Sequence, residues 1–163
     1  EAGIELFVMD DGWFGHRDND RSSLGDWKVN TKKLPNGLAG LCKKINDLGM
    51  DFGIWVEPEM VSENSELYRA HPDYAVTVPG TEPARGRNQL LLDLTREEVQ
   101  EYLIREMTGV FTRSRADYVK WDMNRLLQSG IAGRGAGHLC PSVRAWTLPG
   151  DPGADRAFPQ DPL

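Results

Sequence analysis

The sequence predicts an α/β fold in which parallel strands alternate with helices. Apolar runs of strand length recur between amphipathic segments of helical period, and this alternation is typical of βα units. Charged side chains follow the end of every predicted strand, as expected where the loops of a closed barrel converge on one site. No Gly-x-Gly-x-x-Gly fingerprint follows any strand, which argues against a dinucleotide-binding sheet. These observations predict a partial (β/α)8 TIM barrel of about the first four βα units, because a whole barrel normally needs ~250 residues and this chain has 163.

The first predicted strand is Ile4–Met9, a mostly apolar run of the kind that is buried in a parallel sheet. It ends in paired carboxylates, Asp10 and Asp11, which a glycine turn follows. The polar stretch from His16 to Lys33 is too long for a simple connection. We therefore expect a functional loop there.

Three segments have helical patterns. Gly37–Gly49 carries apolar residues at three- and four-residue spacing, and Gly49 stands where a C-terminal cap is expected. Ser65–Ala70 predicts a short helix that ends near Pro72. Thr95-Arg96-Glu97-Glu98 has the pattern of a capping box, which predicts the start of the longest helix. The apolar stripes of the first and third helices are Leu38, Leu41, Ile45 and Leu48, and Val99, Leu103, Ile104, Met107, Val110 and Phe111.

Each remaining predicted strand also runs into polar residues at its C-terminal end. The strands are Phe52–Val56, Gln89–Leu92 and Ala116–Val119. The polar residues that follow them are Glu57 and Glu59, then Asp93, then Lys120, Asp122 and Asn124. We expect Asp93 to serve in a turn or a helix entry rather than in the site.

The residue types at the strand ends suit carbohydrate chemistry. A carboxylate can stabilise an oxocarbenium-like transition state, while acidic acceptors and Lys or Arg donors can bind sugar hydroxyls. Lys120 lies two residues before Asp122, and on an extended strand both side chains lie on the same side. We therefore expect Lys120 to keep Asp122 ionised, the state that a nucleophile requires. Four tryptophans could stack on sugar rings, although core packing is the commoner fate of this residue: Trp13, Trp27, Trp55 and Trp121.

Five multi-residue motifs occur in order between about Gly3 and Arg125. They are Asp10-Asp11-Gly12-Trp13-Phe14-Gly15, Leu24-Gly25-Asp26-Trp27, Gly53-Ile54-Trp55-Val56-Glu57-Pro58-Glu59-Met60, Gly86-Arg87-Asn88-Gln89 and Lys120-Trp121-Asp122-Met123-Asn124-Arg125. In order and spacing they resemble the motifs of bacterial-type α-galactosidases (melibiases) of glycoside hydrolase family 36. The resemblance implies a (β/α)8 catalytic barrel. It also implies retaining hydrolysis of terminal non-reducing α-D-galactosyl residues in sugars such as melibiose and raffinose.

The resemblance further implies a role for each matching position. Asp122 is the expected nucleophile, which forms the glycosyl-enzyme intermediate. Asp10 and Asp11 are expected to accept hydrogen bonds from the galactose 4- and 6-hydroxyls, and Trp55 to form one wall of the sugar pocket. The residues expected to bind other hydroxyls are Arg87, Lys120 and Asn124. No metal and no other cofactor is expected.

A retaining glycosidase also needs a second carboxyl group as acid/base, roughly 5–5.5 Å from the nucleophile. In the resembled family this group is an Asp on a later strand, and nothing after Arg125 resembles that segment. We assign no catalytic role to Glu57 or Glu59. We therefore expect the acid/base residue to lie outside this chain, and the chain alone to hydrolyse galactosides negligibly.

The tail differs in character from the rest of the chain. We expect residues 1–125 to form the N-terminal half of a catalytic barrel. We expect residues 126–163 to be irregular, because they are rich in Gly, Pro and Arg and show no alternation of strand and helix patterns. Codons permitted for Pro141–Leu163 can, when read one base later, spell an amphipathic helix that resembles the family's next segment. Our hypothesis is a shift of reading frame, which the coding DNA would test.

Composition narrows the partners and the compartment. A net charge of −6 disfavours nucleic acid and anionic membrane surfaces as partners, and no apolar run approaches the ~20 residues of a membrane span. Cys42 and Cys140 fit neither a metal spacing nor a disulfide framework, and no secretory signal is visible. We expect a cytoplasmic protein, a start inside a longer gene, and a parent enzyme that forms a homo-oligomer.

Three other functions stay open at this point. The first is another retaining barrel glycosidase or transglycosylase, such as an α-N-acetylgalactosaminidase or a relative of raffinose synthase. The second is a sugar-binding fragment without catalysis. The third and weakest is a divalent-metal enzyme that uses His16, Asp18 and Asp20, although the segment lacks the Gly and the distal Glu of a calcium loop.

Overall fold

A computed structural model describes residues 3–77, 80, 82, 83, 85–122 and 124 of the chain. The elements, in chain order, are strand β1 (Leu6–Met9), helix α1 (Gly37–Asp47), strands β2 (Asp51–Val56) and β3 (Met60–Val61), helix α2 (Glu66–Ala70), a 3₁₀ helix (Pro72–Tyr74), strand β4 (Leu90–Leu91), helix α3 (Glu97–Ser114) and strand β5 (Tyr118–Trp121). This alternation is an α/β fold, as the sequence predicts.

The main sheet contains three parallel strands in the order β1-β2-β5. Strand β2 lies between the other two strands, and every residue from Phe52 to Val56 is buried as a result. Strand β1 was expected to be buried, yet Leu6 and Phe7 are exposed. The reason is its place at the edge of the described sheet, where only one neighbour covers it.

The prediction that Gln89–Leu92 forms a third parallel strand is wrong. The strand covers only Leu90–Leu91, and it pairs antiparallel with β3 in a separate two-stranded ribbon. The expectation for Asp93 is confirmed, because its Oδ1 accepts hydrogen bonds from both the backbone N and the hydroxyl of Thr95. The described residues therefore contain three parallel strands rather than four.

The helices agree with the sequence pattern except at their ends. Gly49 has a φ of +82° just beyond α1, as a C-terminal cap requires, but Leu48 is 72% exposed and does not belong to the buried stripe. The predicted capping box is also wrong: the residue that precedes α3 is Arg96, not Thr95, and no side chain caps the helix. Within the described residues, no helix has the length and apolar character needed to cross a membrane.

The core is built around aromatic rings that come from the loop after β1 and from β2. Trp13, Phe14, Trp27 and Trp55 are all buried, and each of them lies within 6.5 Å of another, measured between ring centroids. The long loop from 16 to 33 is therefore packed rather than loose: Ser22, Ser23 and Leu24 are buried within it. This packing fixes the loop against the end of the sheet where the candidate site residues lie.

Candidate active site

Asp122 lies directly after β5, at the C-terminal end of the parallel sheet. Its backbone N donates to the carbonyl of Val56 at 2.8 Å, so the pairing of β5 with β2 continues past the last strand residue. Its side-chain Oδ2 accepts two hydrogen bonds, from Trp55 Nε1 and from Asn124 Nδ2, each at 3.0 Å. Two donors on one oxygen orient the carboxylate.

Asp10 and Lys120 form an ion pair at the same end of the sheet. Lys120 Nζ lies 2.8 Å from Asp10 Oδ2. The hydrogen bond from Lys120 lowers the pKa of Asp10, with help from the backbone N of Asp11, and Asp10 in turn raises the pKa of Lys120. We expected Lys120 to keep Asp122 ionised. Its described hydrogen-bond partner is Asp10, and the charge of Asp122 also raises the pKa of Lys120.

Asp11 is held by a residue that the sequence did not single out. Arg17 is buried, and its Nε and Nη2 atoms donate to the two carboxylate oxygens of Asp11 at 2.9–3.1 Å. A third group, Nη1, donates to the carbonyl of Ser22 at 3.0 Å. Arg17 lies in a polar loop without periodicity, so the only signal in the sequence was a cation close to an acidic pair.

Glu57 and Glu59 both lie against the residues around Asp122. Glu57 Oε1 accepts hydrogen bonds from the backbone N of Asn124 at 2.9 Å and from its Nδ2 at 3.0 Å. Glu59 Oε1 accepts from Trp121 Nε1 at 2.6 Å. Burial raises the pKa of Glu59, and the charges of Glu57 and Asp122 act in the same direction. We gave neither residue a catalytic role from the sequence, yet Glu59 contacts Trp121 and Glu57 contacts Asn124, on either side of Asp122.

The tryptophans divide into core and surface residues. Trp55 is 3% exposed, its ring is stacked parallel to that of Phe14, and only its Nε1 edge faces Asp122. Trp13 donates its own Nε1 to the carbonyl of Trp55 at 2.9 Å. These rings and that of Trp27 pack in the hydrophobic core, which is the commoner outcome for a tryptophan. Trp121, at 44% exposed, is the one of the four that offers a surface.

Arg87 lies in a turn outside the parallel sheet. It is an exposed residue of the turn between Gly86 and Gln89, where Arg87 and Asn88 have φ values of +49° and +62°. Among the described residues, no ion pair or side-chain hydrogen bond engages it. Its predicted role in binding hydroxyls therefore stays a prediction. In the same described part of the chain, no three His, Cys, Asp or Glu side chains come together to hold a metal ion, and His16, Asp18 and Asp20 form no such group.

The arrangement combines an oriented carboxylate with acidic acceptors and a cation. Five predicted residues come together at the ends of β1, β2 and β5: Asp10, Trp55, Lys120, Asp122 and Asn124. Asp11 follows Asp10 directly. Such a set can bind a polyhydroxylated ring and place a carboxylate against its anomeric carbon.

The melibiase family model matches residues 1–148. The chain belongs to the melibiase family. The matched residues include the five motifs between Asp10 and Arg125, so the resemblance that these motifs indicated is confirmed. The match of the family model extends past Arg125, where we expected the resemblance to end.

The curated and solved relatives that match the chain are named α-galactosidases. The α-galactosidase AgaA of Geobacillus stearothermophilus is 62% identical over 125 residues, which are 77% of this chain and 17% of AgaA. The structure of AgaB, a family 36 α-galactosidase from the same bacterium, matches with a TM-score of 0.75 at 62% identity, over 77% of this chain and 17% of AgaB. A variant of AgaA in complex with raffinose matches with a TM-score of 0.72 at 61% identity, over 74% of this chain and 17% of AgaA. This melibiase chain thus spans about 17% of the length of these relatives.

Proposed function

We propose that this chain supplies the nucleophile half of a retaining α-galactosidase, which hydrolyses terminal non-reducing α-D-galactosyl residues. The observation that carries the proposal is the carboxylate of Asp122, which accepts hydrogen bonds from Trp55 Nε1 and Asn124 Nδ2 at a strand end. Asp122 would attack the anomeric carbon and form the glycosyl-enzyme intermediate that water later hydrolyses. Family membership and the names of its relatives support galactose as the sugar.

The other site residues take the roles that their chemistry allows. Asp10 and Asp11 would accept hydrogen bonds from sugar hydroxyls, and both are fixed for this by cations, Lys120 and Arg17. Asn124 and Lys120 would bind further hydroxyls of the ring, and Trp55 would form one wall of the pocket with the edge that carries Nε1. Because these partners are already in place before a sugar arrives, little ordering cost remains at binding.

The assignments of fold, acid/base group, substrate, location and assembly are part of the same proposal. We propose that β1, β2 and β5 are parallel strands of a partial (β/α)8 barrel, and that the acid/base carboxyl lies outside this chain. Substrates of the melibiose and raffinose type fit the raffinose complex of the relative AgaA. A cytoplasmic location and a homo-oligomeric parent enzyme complete the proposal.

Covalent trapping tests the nucleophile without the missing acid. In an α-galactosyl fluoride that carries a second fluorine on the ring, the C1–F bond breaks with both electrons going to fluoride, so the leaving group needs no proton. An oxygen of Asp122 forms the new bond to C1, and the ring fluorine slows hydrolysis of the resulting ester. Trypsin cleaves after Lys120 and Arg125, and the peptide between them has Asp122 as its single carboxyl side chain. We expect this peptide to gain the mass of one fluorogalactosyl group.

Matched reagents and one variant control the labelling. Asp122→Asn should abolish it, because an amide oxygen is a poor nucleophile. The β-fluoride and the 2-acetamido analogue should label far more slowly, which separates a galactosidase from the related N-acetylgalactosaminidase. A label on another peptide, or equal labelling by the 2-acetamido analogue, would contradict the proposal.

A further inference from the structure

Glu57 is a buried carboxyl group for which the proposed chemistry has no use. Its side chain is 1% exposed, although it directly follows strand β2 and precedes a proline. Removing a carboxylate from water is costly unless hydrogen bonds replace the lost hydration. The hydrogen bonds of Glu57 converge on one residue, because Oε1 accepts from both the backbone N and the Nδ2 of Asn124. The second oxygen, Oε2, is buried and has no partner in the described part of the chain.

The side-chain amide of Asn124 is shared between two carboxylates. Its Nδ2 lies 3.0 Å from Glu57 Oε1 and 3.0 Å from Asp122 Oδ2. A carboxylate oxygen accepts and cannot donate, so both carboxylates require the nitrogen and exclude the amide oxygen from this position. The two Nδ2 protons are therefore divided, one toward Glu57 and one toward Asp122, and the amide cannot rotate without losing both hydrogen bonds.

We infer that Glu57 is a positioning residue for Asp122 and acts through Asn124. The inference rests on the proposed function only in treating Asp122 as the nucleophile. Glu57 holds Asn124 at two points, and Asn124 then presents one fixed donor to the oxygen that also accepts from Trp55 Nε1. A chain of this kind keeps the nucleophile in one rotamer, because two donors on different strand ends hold the same carboxylate oxygen.

The partly unsatisfied state of Glu57 supports a positioning role over a purely structural one. A residue selected for stability alone would be served better by an apolar side chain of similar size, because replacement of buried charges by packed apolar groups is often neutral or stabilising. Glu57 instead retains a buried Oε2 without a described partner. A buried polar atom of this type calls for a reason beyond stability, and the link to Asp122 supplies one.

Nuclear magnetic resonance on the 163-residue chain tests the link directly. The two Nδ2 protons of Asn124 should exchange with solvent about tenfold or more slowly than those of the exposed Asn19, since each donates to a charged acceptor. Glu57→Leu should remove this protection and should also shift the indole Nε1 proton of Trp55, which reports on the position of Asp122. Glu57→Gln keeps an acceptor oxygen and should restore both signals.

A matched control separates this effect from general loosening. Glu59→Gln should move the indole proton of Trp121 and leave Asn124 and Trp55 unchanged, because among the described residues the Glu59 side chain accepts its hydrogen bond from Trp121. The Trp13 indole proton, which donates to a backbone carbonyl, should stay constant in all variants. Unchanged Asn124 exchange in Glu57→Leu would overturn the inference.

Measurement of the unsubstituted chain keeps the test valid even where the Leu variant does not fold. Exchange of Asn124 as fast as that of Asn19 overturns the inference without any variant. Slow exchange in the chain, together with its retention in Glu57→Gln, supports it. These outcomes do not depend on the trapping experiment. Failure of the Glu57 link with successful labelling of Asp122 would therefore remove this inference and leave the galactosidase proposal standing.

Discussion

Lys120 Nζ lies 2.8 Å from Asp10 Oδ2, so an ion pair joins the two outer strands of the sheet across the end of β2. The register explains how they meet. Met9 pairs with Ile54 and Trp55 pairs with Lys120, which places Asp10 and Lys120 on either side of Trp55. Two groups that are 110 residues apart in the chain thus form one polar edge beside Asp122.

Lys120→Gln should raise the pKa of Asp10 toward its ordinary value. The hydrogen bond from Lys120 is the largest cause of the lowered pKa, while the smaller contribution from the backbone N of Asp11 remains in the variant. Titration of the Asp10 carboxyl carbon by NMR measures the change. The stability of the chain should change little, since both side chains are exposed and water screens the pair. Lys43→Gln, which removes the partner of Asp47, is the control and should leave Asp10 unaltered.

The pair formed by Asp11 and Arg17 should contribute more to stability than ordinary surface pairs. The guanidinium is buried and binds both carboxylate oxygens, and hydrogen bonds between charged groups in such positions are worth about 2 kcal/mol. Arg17→Met and Asp11→Leu, alone and together, form a double-mutant cycle in urea unfolding. The coupling free energy should exceed that of the exposed pair of Arg85 and Glu63. Equal coupling in the two cycles would show that Arg17 does not fix Asp11.

The sequence predicts a strand correctly where burial determines the pattern of apolar residues. It fails where the pairing partner and the direction of the strand have to be predicted. Phe52–Val56 is apolar throughout, so its central place in a parallel sheet can be predicted. Leu90 and Leu91 present the same short apolar pattern, but they pair antiparallel with Met60 and Val61. A run of two to four apolar residues carries no information about which strand it will join or in which direction.

The residues of the candidate site also divide into those that the sequence predicts and those that it does not. Asp10, Lys120 and Asp122 were predicted because residues at the ends of parallel strands meet at one edge. Arg17 and Glu57 were missed because their roles come from tertiary contacts. Glu57 meets Asn124 across 67 positions of sequence, and Arg17 reaches Asp11 only because the loop between them folds back. Neither contact leaves a periodic trace in the sequence.

Glu59 should make the chain less stable as the pH rises. Burial raises its pKa in the folded state above the ordinary value of 4.5, so the folded chain binds more protons than the unfolded chain in this range. The contribution of Glu59 to the free energy of unfolding is therefore highest below pH 4.5 and is lost as the pH rises through the raised pKa. Glu59→Gln keeps the acceptor for Trp121 and should gain stability relative to the parent chain as the pH rises above about 4.5.

Urea unfolding of both chains at several pH values measures this difference. Glu101→Gln, on the exposed face of α3, is the control and should follow the parent chain at every pH. A stability difference between Glu59→Gln and the parent chain that does not vary with pH would show that Glu59 titrates as an ordinary surface residue.

Replacement of Gly25 by any larger residue should destabilise the fold. Its φ of +104° is strained for residues with a Cβ, and an added Cβ would lie 2.9 Å from Leu67 Cδ2 and 3.2 Å from Val61 Cγ2. Its carbonyl also accepts a hydrogen bond from the Tyr102 hydroxyl at 2.6 Å, so a shift of this backbone would disturb the contact with α3. Gly49→Ala is the matched control, because Gly49 also has a positive φ of +82° but an added Cβ there meets nothing within 4 Å. Gly25→Ala should be less stable than Gly49→Ala by about 1–3 kcal/mol, the usual cost of overpacking, in urea unfolding. Equal losses in the two variants would mean that backbone strain alone, and not the contact with Leu67 and Val61, requires glycine at position 25.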